Sequence, residues 1–235
     1  MGRDRARQLP LVFQLDNAAT LQNFLPSSKD TQVLHFLRTR VIRSTEPLSF
    51  LWGNPETGKT HLLQALCHEV ASAGGVPIYL PLSRLEQLAP AMLEGLEDLD
   101  LVCIDDVGKI TGQAEWEQAL FHLYNRARDG ELRLVLAADS APANLTLGLP
   151  DLQSRLQSGV VFQLHELTDS ERSQLLKERA GRLGIELPDA VVNYVLQRHS
   201  RSTGALVSLL QELDSQSLAL KRRITVPLVK EVMGW

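Results

Sequence analysis

Leu48-Ser49-Phe50-Leu51-Trp52-Gly53-Asn54-Pro55-Glu56-Thr57-Gly58-Lys59-Thr60 is the stretch that decides the fold of this chain. An apolar run ends at one glycine, a second glycine follows, and Lys59-Thr60 opens the helical pattern His61-Leu62-Leu63-Gln64-Ala65-Leu66. Strand, glycine-bounded turn and helix, in that order, are the context a phosphate-binding loop needs. The glycines let backbone N–H groups turn inward onto an anion. Lys59 is placed to reach β- and γ-phosphates, and the Thr60 hydroxyl to ligate Mg²⁺. The positive end of the helix adds about half an elementary charge to the same cradle. Gly53, Asn54, Pro55, Glu56, Thr57, Gly58, Lys59 and Thr60 are thus the expected contacts of a nucleoside di- or triphosphate.

Outward from this loop, short apolar runs alternate with helical patterns. Strands are expected over 48–52, 76–81, 100–105, 132–138 and 160–164, and helices over 60–73, 84–95, 114–129 and 149–157. Near-continuously apolar strands separated by helices predict an α/β fold, its parallel five-stranded sheet sandwiched by helices. Upstream, Val33, Leu34, Leu37 and Val41 fall at helical spacing over 30–43, with Asp30 as a cap. Residues 1–20 show neither period and read as a flexible tail. After Leu167 no strand pattern returns. Thr168-Asp169-Ser170-Glu171 opens an amphipathic helix capped by Thr168 or Asp169, Pro188 starts a second, a third covers about 203–222, and Pro227 starts a fourth. The expected division is a tail (1–20), a nucleotide-binding α/β domain (21–166) and a small all-α lid (167–235).

Leu101-Val102-Cys103-Ile104-Asp105-Asp106 is a second apolar strand, ending in paired carboxylates. In a phosphate-loop protein the first, Asp105, holds Mg²⁺ directly or through water, and the next, Asp106, can polarise an attacking water; that the pair only begins a loop is the alternative. Arg133-Leu134-Val135-Leu136-Ala137-Ala138 ends in Asp139. That side chain lies near the γ-phosphate if its strand slots between the other two; a loop-capping role is the alternative.

Of the 235 residues, 44% are hydrophobic, enough for a sizeable core, and the formal net charge of −4 argues against strong direct binding to duplex DNA. Cys67 and Cys103 sit in apolar runs and read as buried free thiols of a reducing compartment. No run approaches the roughly 18 apolar residues of a membrane span, and the apolar run after Arg3, Arg5 and Arg7 is too short for a signal peptide. A cytoplasmic protein with no membrane contact is expected. His61, Cys67 and His68 match no common zinc spacing and are read as helix packing, as are Trp52 and Trp116 as core or edge residues.

Together these segments resemble the AAA+ ATPases and, within them, the family of the bacterial replication initiator DnaA, most closely its short regulatory members. The resemblance covers nearly the whole chain: Gly53–Thr60 as phosphate loop, 101–106 as acidic strand, Asp139 as first sensor. Leu149-Pro150-Asp151-Leu152-Gln153-Ser154-Arg155-Leu156 is similar to the family's arginine-finger segment. Leu183-Gly184-Ile185-Glu186-Leu187-Pro188 and Ile224-Thr225-Val226-Pro227-Leu228 look like its lid.

The resemblance implies that Arg155 faces a neighbouring subunit's nucleotide and accelerates ATP hydrolysis in a DnaA partner, switching initiation off; a solvated surface charge is the plainer reading. It implies that Phe24 lines an adenine pocket, with core packing as the alternative. Where the family carries a second sensor arginine this chain has Gly204, with Arg201 about a turn earlier, so bound ADP rather than ATP and weak intrinsic hydrolysis are expected. DnaA continues past its lid into a DNA-binding domain, whereas this sequence stops at Trp235, again disfavouring a duplex-binding initiator. Gln8-Leu9-Pro10-Leu11-Val12-Phe13 looks like the linear motif that docks on the DNA polymerase III sliding clamp (its beta subunit). Gln8, Leu9, Leu11 and Phe13 would then be offered to the clamp; the alternative is that the leucines and Phe13 pack on the domain's own core. A homo-oligomer is compatible with the family. A helicase loader and, more remotely, a nucleoside kinase are the competing readings.

Overall fold

The computed structural model describes residues 13–42, 47–130, 132–199 and 203–235. Gln8, Leu9, Leu11 and Arg201 therefore lie outside the described residues. The chain divides into two compact units, Met1–His165 and Glu166–Trp235.

The first unit is built on five parallel strands: β1 (Leu48–Trp52), β2 (Pro77–Pro81), β3 (Leu101–Asp105), β4 (Arg133–Ala138) and β5 (Val160–Gln163), in the order β2-β3-β4-β1-β5. The central strands β3 and β4 are buried at every position, which is why they read as unbroken apolar runs. At the edge, β5 alternates half-buried and exposed residues. Side chains of successive residues feed two cores. Phe50, Val102, Ile104, Leu134 and Leu136 pack on one face with Trp116, Leu120, Leu123, Leu152 and Leu156. Leu51, Leu101, Cys103, Val135 and Ala137 pack on the other with Leu62, Leu63, Leu66 and Val70. So α2 (Lys59–Ser72) covers one side, and α3 (Ala114–Asp129) and α4 (Pro150–Ser158) lie together on the opposite side.

Three expectations need correction here, one for a local reason and two because of long-range contacts. No helix forms over 84–95. Two short 3₁₀ segments, Leu82–Gln87 and Pro90–Leu93, take its place, with Arg84 non-helical and Leu88 and Ala89 extended. Pro90 is the cause, since its ring excludes the residue before it from helical backbone. The helix expected over 30–43 is α1 (Thr31–Phe36) running into a single π-helical stretch, Leu37–Val41; Asp30 stands at its start but caps nothing, its carboxylate being taken by His165.

The third concerns the tail. Residues 13–20 have no regular structure, yet they are fastened along α2. The Asp16 N–H donates to Gln64 Oε1 at 2.8 Å, and Asp16 and Thr20 carbonyls accept from His68 and His61 at 3.0 and 2.8 Å. Phe13 is 7% exposed, packed into the α2-side core under the Arg84 guanidinium, 5.4 Å from its ring centre. Phe13 is thus not offered to solvent as a free peptide anchor would be, because its own domain buries the ring. Cys67, His61 and His68 do what packing residues do, and Trp116 is core.

The second unit is four helices: α5 (Asp169–Arg182), α6 (Asp189–Arg198), α7 (Thr203–Leu220) and α8 (Val226–Met233). Thr168 caps α5 in a reciprocal box: its hydroxyl accepts from the Glu171 N–H while Glu171 Oε2 accepts from the Thr168 N–H at 2.7 Å. Leu176, Val192, Val195, Leu206, Leu209, Leu213 and Leu228 close its core. Gly204 lies in the first turn of α7 and is exposed. No helix among the described residues is long and apolar enough to cross a membrane.

Candidate functional site

Strand order makes the site. Because β4 lies between β1 and β3, Asp139 emerges between the loop after β1 and the carboxylates after β3. Trp52 pairs with Ala138, and the Gly53 N–H donates to Ala138 O at 3.3 Å. This is the carboxyl edge of a parallel sheet, where such folds bind ligands.

The loop needs its glycines. A Cβ on Gly53 would lie 2.4 Å from Leu164 O, and one on Gly58 would lie 2.5 Å from the Phe24 ring while the residue holds φ at +93°. Phe24 is thus brought against the loop, its ring also tilted over His61 at 5.6 Å. Asn54 O accepts from Thr57 Oγ1 at 3.0 Å, and Glu56 adopts φ 70° to close the turn. Lys59 is 6% exposed and folds back over the loop. Its ammonium donates to Gly53 O (2.7 Å) and Asn54 O (2.9 Å) and pairs with Asp139 Oδ1 (2.9 Å). Asp139 is thus engaged with the phosphate-loop cation rather than capping its own loop.

Thr60 and Asp105, 45 positions apart in sequence, meet directly: Thr60 Oγ1 donates to Asp105 Oδ2 at 2.6 Å. A second donor, Tyr79 OH on β2, reaches the same oxygen at 3.0 Å, and the Asp106 N–H reaches Oδ1 at 3.0 Å. Asp105 is 2% exposed. Burial pushes its carboxyl above the usual range, against the opposing pull of the Thr60 and Tyr79 hydroxyls; burial and the Asp105 charge push the Tyr79 phenol up as well. Asp106 sits in left-handed backbone, φ 58°, a conformation Asp tolerates better than most residues.

These residues fit Mg²⁺ and a phosphate chain. Two positions leave no space for a Cβ, and the Thr60 and Asp105 oxygens are hard donors set side by side. No cluster of three or more His, Cys, Asp and Glu side chains suited to a metal occurs among the described residues. Mg²⁺ completes its shell with phosphate oxygens and water and, when bound, neutralises phosphate charge. In the metal-free protein the raised Asp105 titration gives a testable sign. A carboxyl raised on folding contributes stability below its unfolded value, lost as pH rises through the folded one. Asp105→Asn should therefore gain melting temperature over the parent, by a margin that opens as pH rises above about 4 and then levels off. A margin independent of pH would contradict this.

Arg155 lies away from this cluster, on α4. It is half-buried, its guanidinium 5.8 Å from the Tyr124 ring centre, and among the described residues it forms no ion pair. Tyr79 and Glu117 are absent from the sequence reading, and Asp30 stands in it only as a helix cap. Tyr79 becomes legible only once β2 is paired beside β3. Asp30, 2% exposed, binds His165 through its backbone N–H (2.8 Å) and Nδ1 (2.6 Å), fixing the strand exit that touches Gly53. Glu117, buried on α3, accepts three backbone N–H bonds.

With this geometry the chain can be set beside known proteins. The family model for the lid domain of Hda matches residues 169–233, and that for the bacterial DnaA ATPase domain matches residues 85–163. An uncharacterized protein of Haemophilus influenzae is 38% identical over 230 residues, 97% of this chain and 99% of that protein. Domain III of the Thermotoga maritima replication initiation protein DnaA shares the fold at TM-score 0.79 and 22% identity, over 94% of this chain and 98% of that one. AMPPCP-bound DnaA from Aquifex aeolicus gives TM-score 0.72 and 25% identity, over 88% of this chain and 69% of that one. A five-stranded parallel sheet flanked by helices and followed by a helical domain agrees with both family models: the chain belongs to the DnaA/Hda-like family of AAA+ proteins.

Proposed function

We propose that this DnaA-related replication regulator holds ADP or ATP with Mg²⁺ at Gly53–Thr60 and lends Arg155 to the ATP of a DnaA partner, accelerating its hydrolysis. The observation that carries the reading is the contrast between two cations. Lys59 is buried in its own loop with three acceptors. Arg155 rests on an aromatic ring with no anion paired to it among the described residues, as a residue meant for someone else's phosphate would. A guanidinium stabilises charge spread over a transferring phosphoryl group without forming any bond to it.

For the chain's own nucleotide, Lys59 would meet β- and γ-phosphates, Thr60 and Asp105 the metal, Asp106 and Asp139 the water and γ-phosphate side, and Phe24 the base. Gly204 supplies no second-sensor charge, so bound ADP and slow turnover are the expected state. Gln8, Leu9 and Leu11 are the proposed contacts with the sliding clamp. Phe13, buried beneath Arg84, serves better as the post that ties this peptide to the domain than as an anchor in the clamp.

The test is reconstitution with ATP-loaded DnaA and a clamp on DNA. Hydrolysis should require the chain and the clamp together, and Gln8→Ala should abolish both clamp capture and clamp-dependent hydrolysis. A chain that neither binds the clamp nor alters DnaA hydrolysis would end the proposal.

A further inference from the structure

We infer that Glu117 is a positioning residue for Arg155, acting through the backbone at the start of α4; this rests on the reading of Arg155 given above. Glu117 lies in the first turn of α3 and is 1% exposed. Its Oε1 accepts from Gly112 N (2.8 Å) and Gly148 N (3.1 Å), and its Oε2 from Leu149 N (2.8 Å). No Lys or Arg pairs with it among the described residues, so backbone dipoles alone answer a buried carboxylate.

The three donors come from two places that matter. Gly112 follows the 3₁₀ segment Val107–Ile110, which begins directly after Asp105 and Asp106. Gly148 and Leu149 are the two residues that lead into α4, Leu149 being its N-cap. One carboxylate therefore joins the exit of the metal-holding strand to the entry of the helix that carries Arg155.

Seven residues further along α3, Tyr124 grips the other end of α4. Its hydroxyl lies 3.0 Å from Ser158 Oγ, which donates to Arg155 O at 2.7 Å, while the ring supports the Arg155 guanidinium. Seven helical residues span about 10.5 Å, and the contacts run in the same order on both helices. So α3 and α4 lie side by side in the same direction, α4 fixed at two points. Moving the Glu117 end would leave a buried carboxylate without its three N–H donors, a loss larger than that of an exposed contact.

Glu117→Gln keeps the size but turns one acceptor oxygen into a donor facing another donor. Displacing a reacting group by about 1 Å costs about 100-fold. In a titration of this chain against ATP-loaded DnaA with the clamp on DNA, the variant should lose about 10–100-fold in maximal stimulation. Its half-saturating concentration and its ADP binding should stay unchanged. Amide exchange should quicken at Gly148 and Leu149 while the β3 and β4 amides keep their protection. Full stimulation in a variant whose Gly148 and Leu149 amides do exchange faster would overturn the inference. So would a loss accompanied by faster exchange throughout the sheet, which marks a merely structural carboxylate. Should Glu117→Gln fail to fold, Glu117→Asp, which retains the charge but shortens its reach, is judged by the same criteria. Arg155→Ala run in parallel separates the two levels: full activity there refutes the finger, not the carboxylate's hold on α4.

Discussion

Arg155→Ala is expected to abolish stimulation of DnaA-bound ATP hydrolysis, a fall of about 10³–10⁵-fold, with nucleotide binding and melting temperature nearly unchanged. Both halves follow from the same geometry. The side chain is half-buried and lies over Tyr124, with no anion paired to it among the described residues, and a cation–π contact near the surface contributes only about 0.5–1 kcal/mol. Little holds the fold through this residue, so a large functional loss would belong to its action in trans. Single-turnover hydrolysis of ATP bound to the partner, at saturating variant, is the measurement. Arg155→Lys sharpens it: the charge stays but the planar fork is lost, so only a small part of the activity should return. Undiminished stimulation by Arg155→Ala would remove this residue from the mechanism.

Lys59→Ala is expected to weaken nucleotide binding by about 10–100-fold, the equivalent of one hydrogen-bonded charge at about 1.5–3 kcal/mol. The ammonium contacts both loop carbonyls and Asp139. A phosphate must therefore share Lys59 with, or take it from, the Asp139 carboxylate. Thermal shifts with ADP and ATP give the readout. A concentration of 100 times the parent's Kd stabilises it by about 2.7 kcal/mol, and a variant bound 100-fold more weakly by only about 0.4 kcal/mol. Asp139→Asn, which removes the competing anion and leaves the ammonium, should move affinity the other way, more for ATP than for ADP. Equal shifts for parent and Lys59→Ala would show that the loop is not where nucleotide binds. Asp139 is 61% exposed, so losing its partner leaves it hydrated and the variant folded.

Periodicity and local chemistry were enough to locate the five strands to within a residue or two, the phosphate loop, and the helical texture after Leu167. Strands buried on both faces must be apolar throughout, and a turn that cradles phosphate cannot be made without glycine at Gly53 and Gly58. Likewise the Thr168–Glu171 box is a contact between neighbours in sequence, which sequence can specify. Apart from the 84–95 segment broken at Pro90, the sequence misleads where long-range contacts overrule local ones. Asp30 looks like a helix cap until His165, far along the chain, takes its carboxylate. Phe13 looks like a free anchor until the core beneath Arg84 buries it.

The order of the strands was a matter for the tertiary structure alone, and with it the meeting of Lys59 with Asp139 and of Thr60 and Tyr79 with Asp105. No residue announces its partner when the bond closes across 26 to 80 positions; Tyr79 meets Asp105 because β2 pairs with β3, and Lys59 meets Asp139 because β4 pairs with β1. What the chain of letters determined is which chemistry is present. Which groups share it was decided by the sheet, because hydrogen bonds act over about 3 Å and only folding brings distant segments that close.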